Sequence, residues 1–344
     1  MRALLLALLW VAALPAWAET IGLSIPQTGR YAPLGSQIEF GFLQAIEDHV
    51  RTGGKRPQTA IIDDRCSEDG AKAGLATLRE RQARIVVGAP CFDAAFALAE
   101  GLGDVPVLAM ELRHPETNER IAGGAPLFVV GPDGAAEAEA IADLVLQRWR
   151  DRPFALLDDG SVYGRALSDR LRELADARGL KPIEVATFRP LQSNQRALLR
   201  RLGRSGVEAL FVAGDAEDAA TFARDAAAVL PGAEVATGEP GLLLPFVDEP
   251  PPAGAFVVGQ PERRDHPSAS ILVERFGDRG VPPDDGILEG YALAQIALDT
   301  LGGVALANTT HDTVIGPVRF RDGRAVPQPF RLLRWNGTAL VAIE

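Results

Sequence analysis

The sequence predicts an α/β protein of two lobes, each a parallel sheet covered by helices on both faces. Three observations lead there. Apolar runs of four to six residues alternate with helical stretches, the pattern of parallel strands buried between helices. The alternation runs through one series and restarts near residue 153. The chain has 344 residues and 47% apolar content, enough for two cores rather than one.

The first eighteen residues stand apart. Met1-Arg2 is followed by an unbroken apolar run from Ala3 to Leu14, broken by Pro15, and then by Ala16-Trp17-Ala18. A positive start, an apolar centre and a small-x-small end predict a signal peptide over 1–18, cleaved before Glu19. Its apolar run is short of the roughly 20 residues that span a bilayer. No later stretch reads as a transmembrane helix, so the mature chain is expected to be exported and soluble.

The first series of elements then reads strand Ile21 to Ile25, helix Leu34 to Val50, strand 59–64, helix 69–82, strand 84–89, helix 92–101, strand Val105 to Met110, strand Pro126 to Gly131 and helix 134–149. The second reads strand 153–158, helix 163–178, strand 182–188, helix 195–204, strand 208–214, helix 216–229, strand 233–237 and strand 255–259. Pro250-Pro251-Pro252 marks a rigid surface loop. Helix 286–301 follows, then Thr313 to Phe320, Phe330 to Trp335 and Thr338 to Ile343. Asn336-Gly337 signals a two-residue hairpin between the last two. The chain is thus expected to end in antiparallel strands, with late segments returning to complete both lobes.

Removing residues 1–18 takes away one Arg and no acid. The mature chain then carries 34 basic against 46 acidic residues, a formal charge of −12. That argues against nucleic acid or an anionic membrane surface as a partner. The two cysteines, Cys66 and Cys91, each follow a predicted strand. In an oxidising compartment pairing is expected, two free buried thiols being the alternative. If the two strands are parallel neighbours, the cysteines share a sheet edge, and the bond closes a loop of about 25 residues worth ~3 kcal/mol. Four scattered histidines and two separated cysteines lack metal-ligand spacing, so no metal or cofactor is expected.

Catalytic patterns are missing. There is no G-x-S-x-G, H-E-x-x-H or G-x-x-x-x-G-K-[ST]. A hydrolase on this scaffold is disfavoured, and the chain is not expected to be an enzyme. The loops after the strands are more informative, because ligands of open α/β sheets sit beyond the strands' carboxyl ends and helix N-termini there favour anions. These loops are Gly29-Arg30-Tyr31-Ala32-Pro33-Leu34-Gly35, Pro90-Cys91-Phe92-Asp93-Ala94, Glu111-Leu112-Arg113-His114-Pro115-Glu116, the segment Asp158 to Gly164, Gly214-Asp215-Ala216-Glu217 and Thr237-Gly238-Glu239-Pro240-Gly241.

These segments carry a resemblance. Ile21 to Gly29 with Gly35, Asp63-Asp64-Arg65-Cys66, Val87-Gly88-Ala89-Pro90-Cys91, His114-Pro115-Glu116, Tyr163-Gly164 and Asp312-Thr313-Val314-Ile315-Gly316-Pro317-Val318-Arg319-Phe320 occur in order along nearly all of the mature chain. They are similar to periplasmic solute-binding proteins of the branched-chain amino acid (leucine/isoleucine/valine-binding) ABC transporter family. The resemblance implies the type I periplasmic binding fold: two doubly wound lobes joined by a three-crossing hinge. Residues 19–131 and 262–327 would form lobe I, and 132–261 and 328–344 lobe II. It implies a monomeric periplasmic component of an importer that traps a small polar ligand, an amino acid or related compound, and presents its closed form to a membrane permease. The alternative is a ligand-sensing or interaction module on the same fold.

By the same resemblance the ligand-binding residues are Tyr31, Phe92, Asp93, Leu112, Arg113, Tyr163, Asp215 and Glu239. Family members meet the ligand carboxylate with a Ser after the second cysteine and a Thr in the loop at 111–116. Here Phe92, Leu112 and Arg113 stand at those places. Arg113 offers a bidentate carboxylate fork instead. Glu239 falls where the family meets the ammonium, with Asp215 a second acid near it. Tyr163 matches a pocket tyrosine, and Tyr31 is a shifted candidate for another.

Overall fold

The computed structural model describes residues 19–343 except 113, 115, 133, 282–283 and 327–329. The expected signal peptide therefore lies outside the described residues. In chain order the first elements are β1 (Thr20–Ile25), α1 (Ala32–Arg51), β2 (Gln58–Asp63), α2 (Glu68–Glu80), β3 (Ala83–Gly88), α3 (Phe92–Gly101), β4 (Val107–Ala109), α4 (Glu116–Ala122), β5 (Leu127–Val129) and α5 (Gly134–Ile141). Next come β6 (Phe154–Asp158), α6 (Val162–Ala177), β7 (Glu184–Thr187), α7 (Arg196–Arg204), β8 (Ala209–Ala213), α8 (Ala216–Val229), β9 (Glu234–Thr237) and β10 (Phe256–Gly259). The last are α9 (Ser270–Gly277), α10 (Asp285–Leu301), β11 (Thr310–Thr313), β12 (Gly316–Arg321), β13 (Arg324–Val326), β14 (Arg331–Trp335) and β15 (Leu340–Ala342).

Two sheets result. The first runs β11-β12-β13-β5-β4-β3-β1-β2 and the second β15-β14-β10-β9-β8-β6-β7. In each, the five strands of one series are parallel in the same winding order; in the first sheet β13 joins β5 in parallel and β12 and β11 follow antiparallel, and in the second β14 and β15 are antiparallel. The chain passes between the sheets after β5, β10 and β13, three crossings in all.

Local chemistry explains where helices begin. Ser67, Ser161 and Asp215 sit between strand and helix, and their side chains accept from the backbone N–H three residues on. A capping oxygen of this kind satisfies a donor that the first helical turn leaves free. The central strands β1, β3, β4, β6, β8 and β10 are buried on both faces. Phe42, Ile38 and Leu288 cover one face of the first sheet, and Leu78, Phe96 and Leu98 the other. Trp149 and Leu171 lie on one face of the second, Phe222, Leu199 and Trp335 on the other. Helix α10 returns to lie against α1 because glycines let the backbones meet. A Cβ on Gly41 would stand 1.9 Å from the Ile287 carbonyl, and one on Gly290 2.2 Å from that of Ile38.

Several expectations are corrected. β2 and β3 are not neighbours, since β1 lies between them. The helix expected over 134–149 is α5 followed by a π-helical turn at Ala142–Leu146. Thr313 to Phe320 is not one strand: it turns back at 314–315 to form the β11–β12 hairpin. The last hairpin pairs Trp335 with Leu340, so its loop has four residues rather than two. The Asn336 carboxamide oxygen accepts from the N–H groups of Thr338 and Ala339 and from the Thr338 hydroxyl, which stabilises the longer turn. Pro251 is buried, its carbonyl accepting from Trp335 Nε1. Helices α4 and α9 were not anticipated.

Candidate functional site: the cleft between the sheets

In an open parallel sheet the crevice lies beyond the carboxyl ends, where the winding order reverses. That point falls between β1 and β3 in the first sheet and between β6 and β8 in the second. The loops leaving these strands carry Tyr31, Phe92 and Asp93 on one side, Tyr163 and Asp215 on the other. Leu112 follows β4, and Glu239 follows β9.

On the first side the loops are pinned. Asp63 accepts from the N–H groups of Gln27 (2.8 Å) and Arg65 (3.1 Å) and from the Thr28 hydroxyl (2.6 Å). Burial works against its charge, but these donors prevail and hold its carboxyl below the ordinary range. Asp64 is the reverse: burial raises it despite its bonds to the Cys66 N–H and the Ser24 hydroxyl. Cys66 and Cys91 are disulfide-bonded, with Cα atoms 5.2 Å apart. Although β1 separates their strands, both loops lean over its end. The N–H of Asp64 bonds the Ile25 carbonyl, and that of Ala89 the Ser24 carbonyl. The turn at Gly88 has φ +104°, and a Cβ there would meet the Ser24 carbonyl at 2.3 Å.

Tyr31 precedes α1 and is 39% exposed, with the Arg30 guanidinium over its ring. Phe92 begins α3. Its ring stacks on His114 (centroids 3.6 Å apart) and meets Phe96 edge-on. Asp93 is exposed in the first turn of α3. Leu112 needs correction as a pocket wall: its side chain is 2% exposed and packs in the core with Val107, Ala109 and Leu127. What it contributes is its carbonyl, which accepts from Arg324 Nη2 (3.0 Å). Arg324, on β13, also donates to Asn118 Oδ1 (2.6 Å) and the Gly131 carbonyl (3.3 Å). It ties the loops after β4 and β5 together. Arg113 lies outside the described residues.

The second side is acidic. Glu137 on α5 is fully buried, and its Oε1 accepts from the Tyr163 hydroxyl (2.7 Å) and the Glu239 N–H (2.9 Å). Gly238 passes this carboxylate so closely that a Cβ would stand 2.5 Å from it. Gln260 Nε2 donates to Glu239 Oε1 (3.2 Å) and to Glu111 Oε1 (3.1 Å), so one amide nitrogen touches a loop from each sheet. Three residues on, Arg263 Nε meets Glu289 Oε1 of α10 at 2.6 Å. Burial, with help from Glu111 and Asp285, pushes Glu289 up to about 7 against the pull of Arg263.

Asp215 is exposed and caps α8, accepting from the Asp218 N–H (2.9 Å). Asp218 is 1% exposed. Its Oδ1 accepts from the Leu191 N–H (2.8 Å), and its Oδ2 has no hydrogen-bond partner. Burial first, then the charges of Asp215, Asp159 and Glu217, push its carboxyl up to about 6.

The structure thus joins Tyr163 and Glu239 through Glu137 and leaves Asp215 in a capping role. Glu137, Gln260, Glu111 and Arg324 were missed as site residues. No sequence signal separates Glu137 from its half-exposed neighbour Glu139, which pairs with Arg170 and Arg178; the packing of α5 against α6 and β10 buries Glu137. Among the described residues, no three His, Cys, Asp or Glu side chains are arranged to hold a metal ion. Among the same residues, no helix is long and apolar enough to cross a membrane.

The arrangement has relatives. "Leu/Ile/Val-binding protein homolog 3" of Brucella melitensis is 22% identical over 348 residues, covering 94% of this chain and 93% of that one. A crystal structure from Rhodospirillum rubrum superposes with TM-score 0.82 at 18% identity, covering 95% of this chain and all of that one. An ABC transporter substrate-binding protein from Desulfitobacterium hafniense, in complex with Leu, gives TM-score 0.70 at 16% identity, covering 95% and 100%. At such identities the structures speak for the fold alone. The profile of the periplasmic binding protein family matches residues 19–339. With its two sheets of like winding order and its three crossings, the chain belongs to the periplasmic binding protein family.

Proposed function

We propose that this protein is the solute-binding component of an ABC importer, exported to the periplasm by cleavage of residues 1–18. It acts as a non-enzymatic monomer and hands its ligand to a membrane permease. Residues 19–131 and 262–327 make lobe I, and 132–261 and 328–344 lobe II. The ligand is a small polar molecule of the amino-acid class held between them. Its ammonium faces Glu239, assisted by Asp215. Its carboxylate is met by Arg113. Tyr31, Phe92, Asp93 and Tyr163 line the seat, and Leu112 acts through its main chain.

One observation carries this reading. Glu239 is held from behind, through its own N–H, by the buried carboxylate of Glu137, while Gln260 ties its side chain to Glu111 of the other lobe. A carboxylate fixed at the seam between two lobes is built to meet a cation there. The family and the named relatives point the same way.

The test is a thermal-shift and calorimetric screen of the mature protein against amino acids, amides and small carboxylates. Saturable stabilisation without turnover is expected. For an amine ligand so found, Glu239→Gln keeps the shape and removes the charge. A charge-assisted contact is worth roughly 1.5–3 kcal/mol, so affinity should fall about tenfold or more. Wild-type affinity in Glu239→Gln would remove the ammonium assignment. Small-angle scattering should show a smaller radius of gyration at saturating ligand, and an unchanged radius would speak against closure unless the ligand-free form is already closed.

A further inference from the structure

Gln260 is the first residue beyond β10, where the chain leaves the second sheet for the first. A primary amide nitrogen carries two hydrogens, and here each has an acceptor on a different lobe. Nε2 lies 3.1 Å from Glu111 Oε1, in the loop after β4, and 3.2 Å from Glu239 Oε1, in the loop after β9. The same crossing is fastened further along. Arg263 pairs with Glu289 of α10 at 2.6 Å, their side chains only 18% and 13% exposed. The far end of the crossing therefore moves with the first lobe, and Gln260 stands at the end that faces the cleft. Any rotation of the second lobe about this crossing changes the separation of Glu111 and Glu239. Among the described residues, Gln260 is the side chain hydrogen-bonded to a carboxylate of each lobe.

We propose that Gln260 is a positioning residue: its two hydrogen bonds hold Glu111 of one lobe against Glu239 of the other, bias the unliganded protein toward the closed arrangement, and keep the Glu239 carboxylate aimed into the cleft. The proposal rests on the two-lobed binding function above. It concerns the ligand-free protein, so it can be tested without knowing the ligand.

The experiment measures the distance between spin labels at two exposed helical sites, Thr77 on α2 and Arg172 on α6. The mature protein is first unfolded in guanidinium and refolded to strip bound solute, leaving the disulfide intact. Gln260→Glu puts an acceptor-only carboxylate between two others, so both bonds are lost and the distance distribution should shift to longer values. Gln260→Leu removes the bonds without adding charge and should shift it the same way by less. The reciprocal double substitution, Gln260→Glu with Glu111→Gln, returns a donor from the opposite side and should move the distribution back toward wild type. Simple loss of packing would not be rescued in this way. Wild-type distances in both single variants overturn the proposal. So does an opened Gln260→Glu that the double substitution does not recover, which would mean lost packing, and so does an opened Gln260→Glu beside an unchanged Gln260→Leu, which would mean charge repulsion rather than a latch. If Gln260→Glu does not fold, Gln260→Leu decides alone: a longer distance supports the latch, an unchanged one removes it. A protein that binds nothing in the solute screen would end the binding function, whatever these distances show.

Discussion

The two edges of the cleft are built by opposite means. The edge on the first sheet is held by covalent and apolar contacts: the Cys66–Cys91 bond, the Phe92 stack on His114 and Phe96, and Leu112 sunk in the core. The edge on the second sheet is held by hydrogen bonds to acids: Asp158 to Gly160 and Thr187, Asp159 to Ser161, Asp215 to Asp218, Glu137 to Tyr163 and Glu239. The first edge adds this covalent and apolar brace to the bonds of Asp63 and Asp64, whereas the second rests on acids alone, whose charge has a cost that depends on pH and salt. The zwitterionic ligand proposed above would need one surface of each polarity. Here the acidic half is explicit in the described residues.

The largest expected effect breaks the first edge. The disulfide closes a 25-residue separation. In the chain-entropy model, its removal by Cys66→Ser with Cys91→Ser costs about 3.5 kcal/mol. Guanidinium unfolding should show the loss. Hydrogen exchange should localise it, with faster exchange across 59–101 and little change across 154–246. Equal acceleration in both lobes would mean that they unfold as one unit and that the contrast between edges is not one of stability.

The second effect is a pH dependence specific to the acidic edge. Asp218 is pushed from its ordinary 3.8 up to about 6. Below pH ~4 it is protonated in both folded and unfolded chains and costs nothing. Between about 4 and 6 the unfolded chain gives up the proton while the folded one keeps it, so stability falls as pH rises, then levels off. A shift of this size corresponds to roughly 2–3 kcal/mol. Asp218→Asn keeps an acceptor for the Leu191 N–H and removes the titration. The stability difference between pH 4 and pH 8 should shrink by about that amount, whatever constant offset the new amide introduces. An unaltered pH profile would show that burial does not hold the Asp218 carboxyl above its ordinary range.

What was legible in the sequence follows the same divide. Alternating strands and helices, and the pairing of Cys66 with Cys91, depend on local pattern and composition, and both could be read. The order of strands could not. Placing β1 between β2 and β3 requires knowing which loop crosses which face, and the disulfide forms only because Gly88 and Asp64 turn the chain over the end of β1. The acids at the second edge were visible as residues but not as partners. Glu137 and Glu239 are 102 positions apart and meet through a backbone N–H, a contact with no composition signal. Leu112 illustrates the opposite error. A loop position read by resemblance carried a side chain that the core claimed.

The smallest effect separates two roles of one residue. Asp215 caps α8 through its Oδ1 and is also the exposed acid proposed to assist Glu239. Asp215→Ala removes both functions, and loss of an N-cap costs about 1 kcal/mol. Asp215→Ser leaves an oxygen able to accept from the Asp218 N–H, so stability should change by only a few tenths of a kcal/mol. The charge is gone in both variants. An exposed carboxylate acting on a cation through solvent contributes roughly 0.2–1 kcal/mol, so Asp215→Ser should weaken an amine ligand about two- to threefold at low salt. Screening at 1 M salt should erase that difference, because the Debye length falls to about 3 Å. The serine variant also removes one of the charges that raise Asp218, so the fall in stability with pH should become smaller. Calorimetry at two salt concentrations reads the ligand effect, and thermal melts at pH 4 and pH 8 read the second. If Asp215→Ser binds as wild type does at low salt while its pH profile shifts, Asp215 is a cap and a charge on Asp218 alone, and cation recognition at this edge belongs to Glu239.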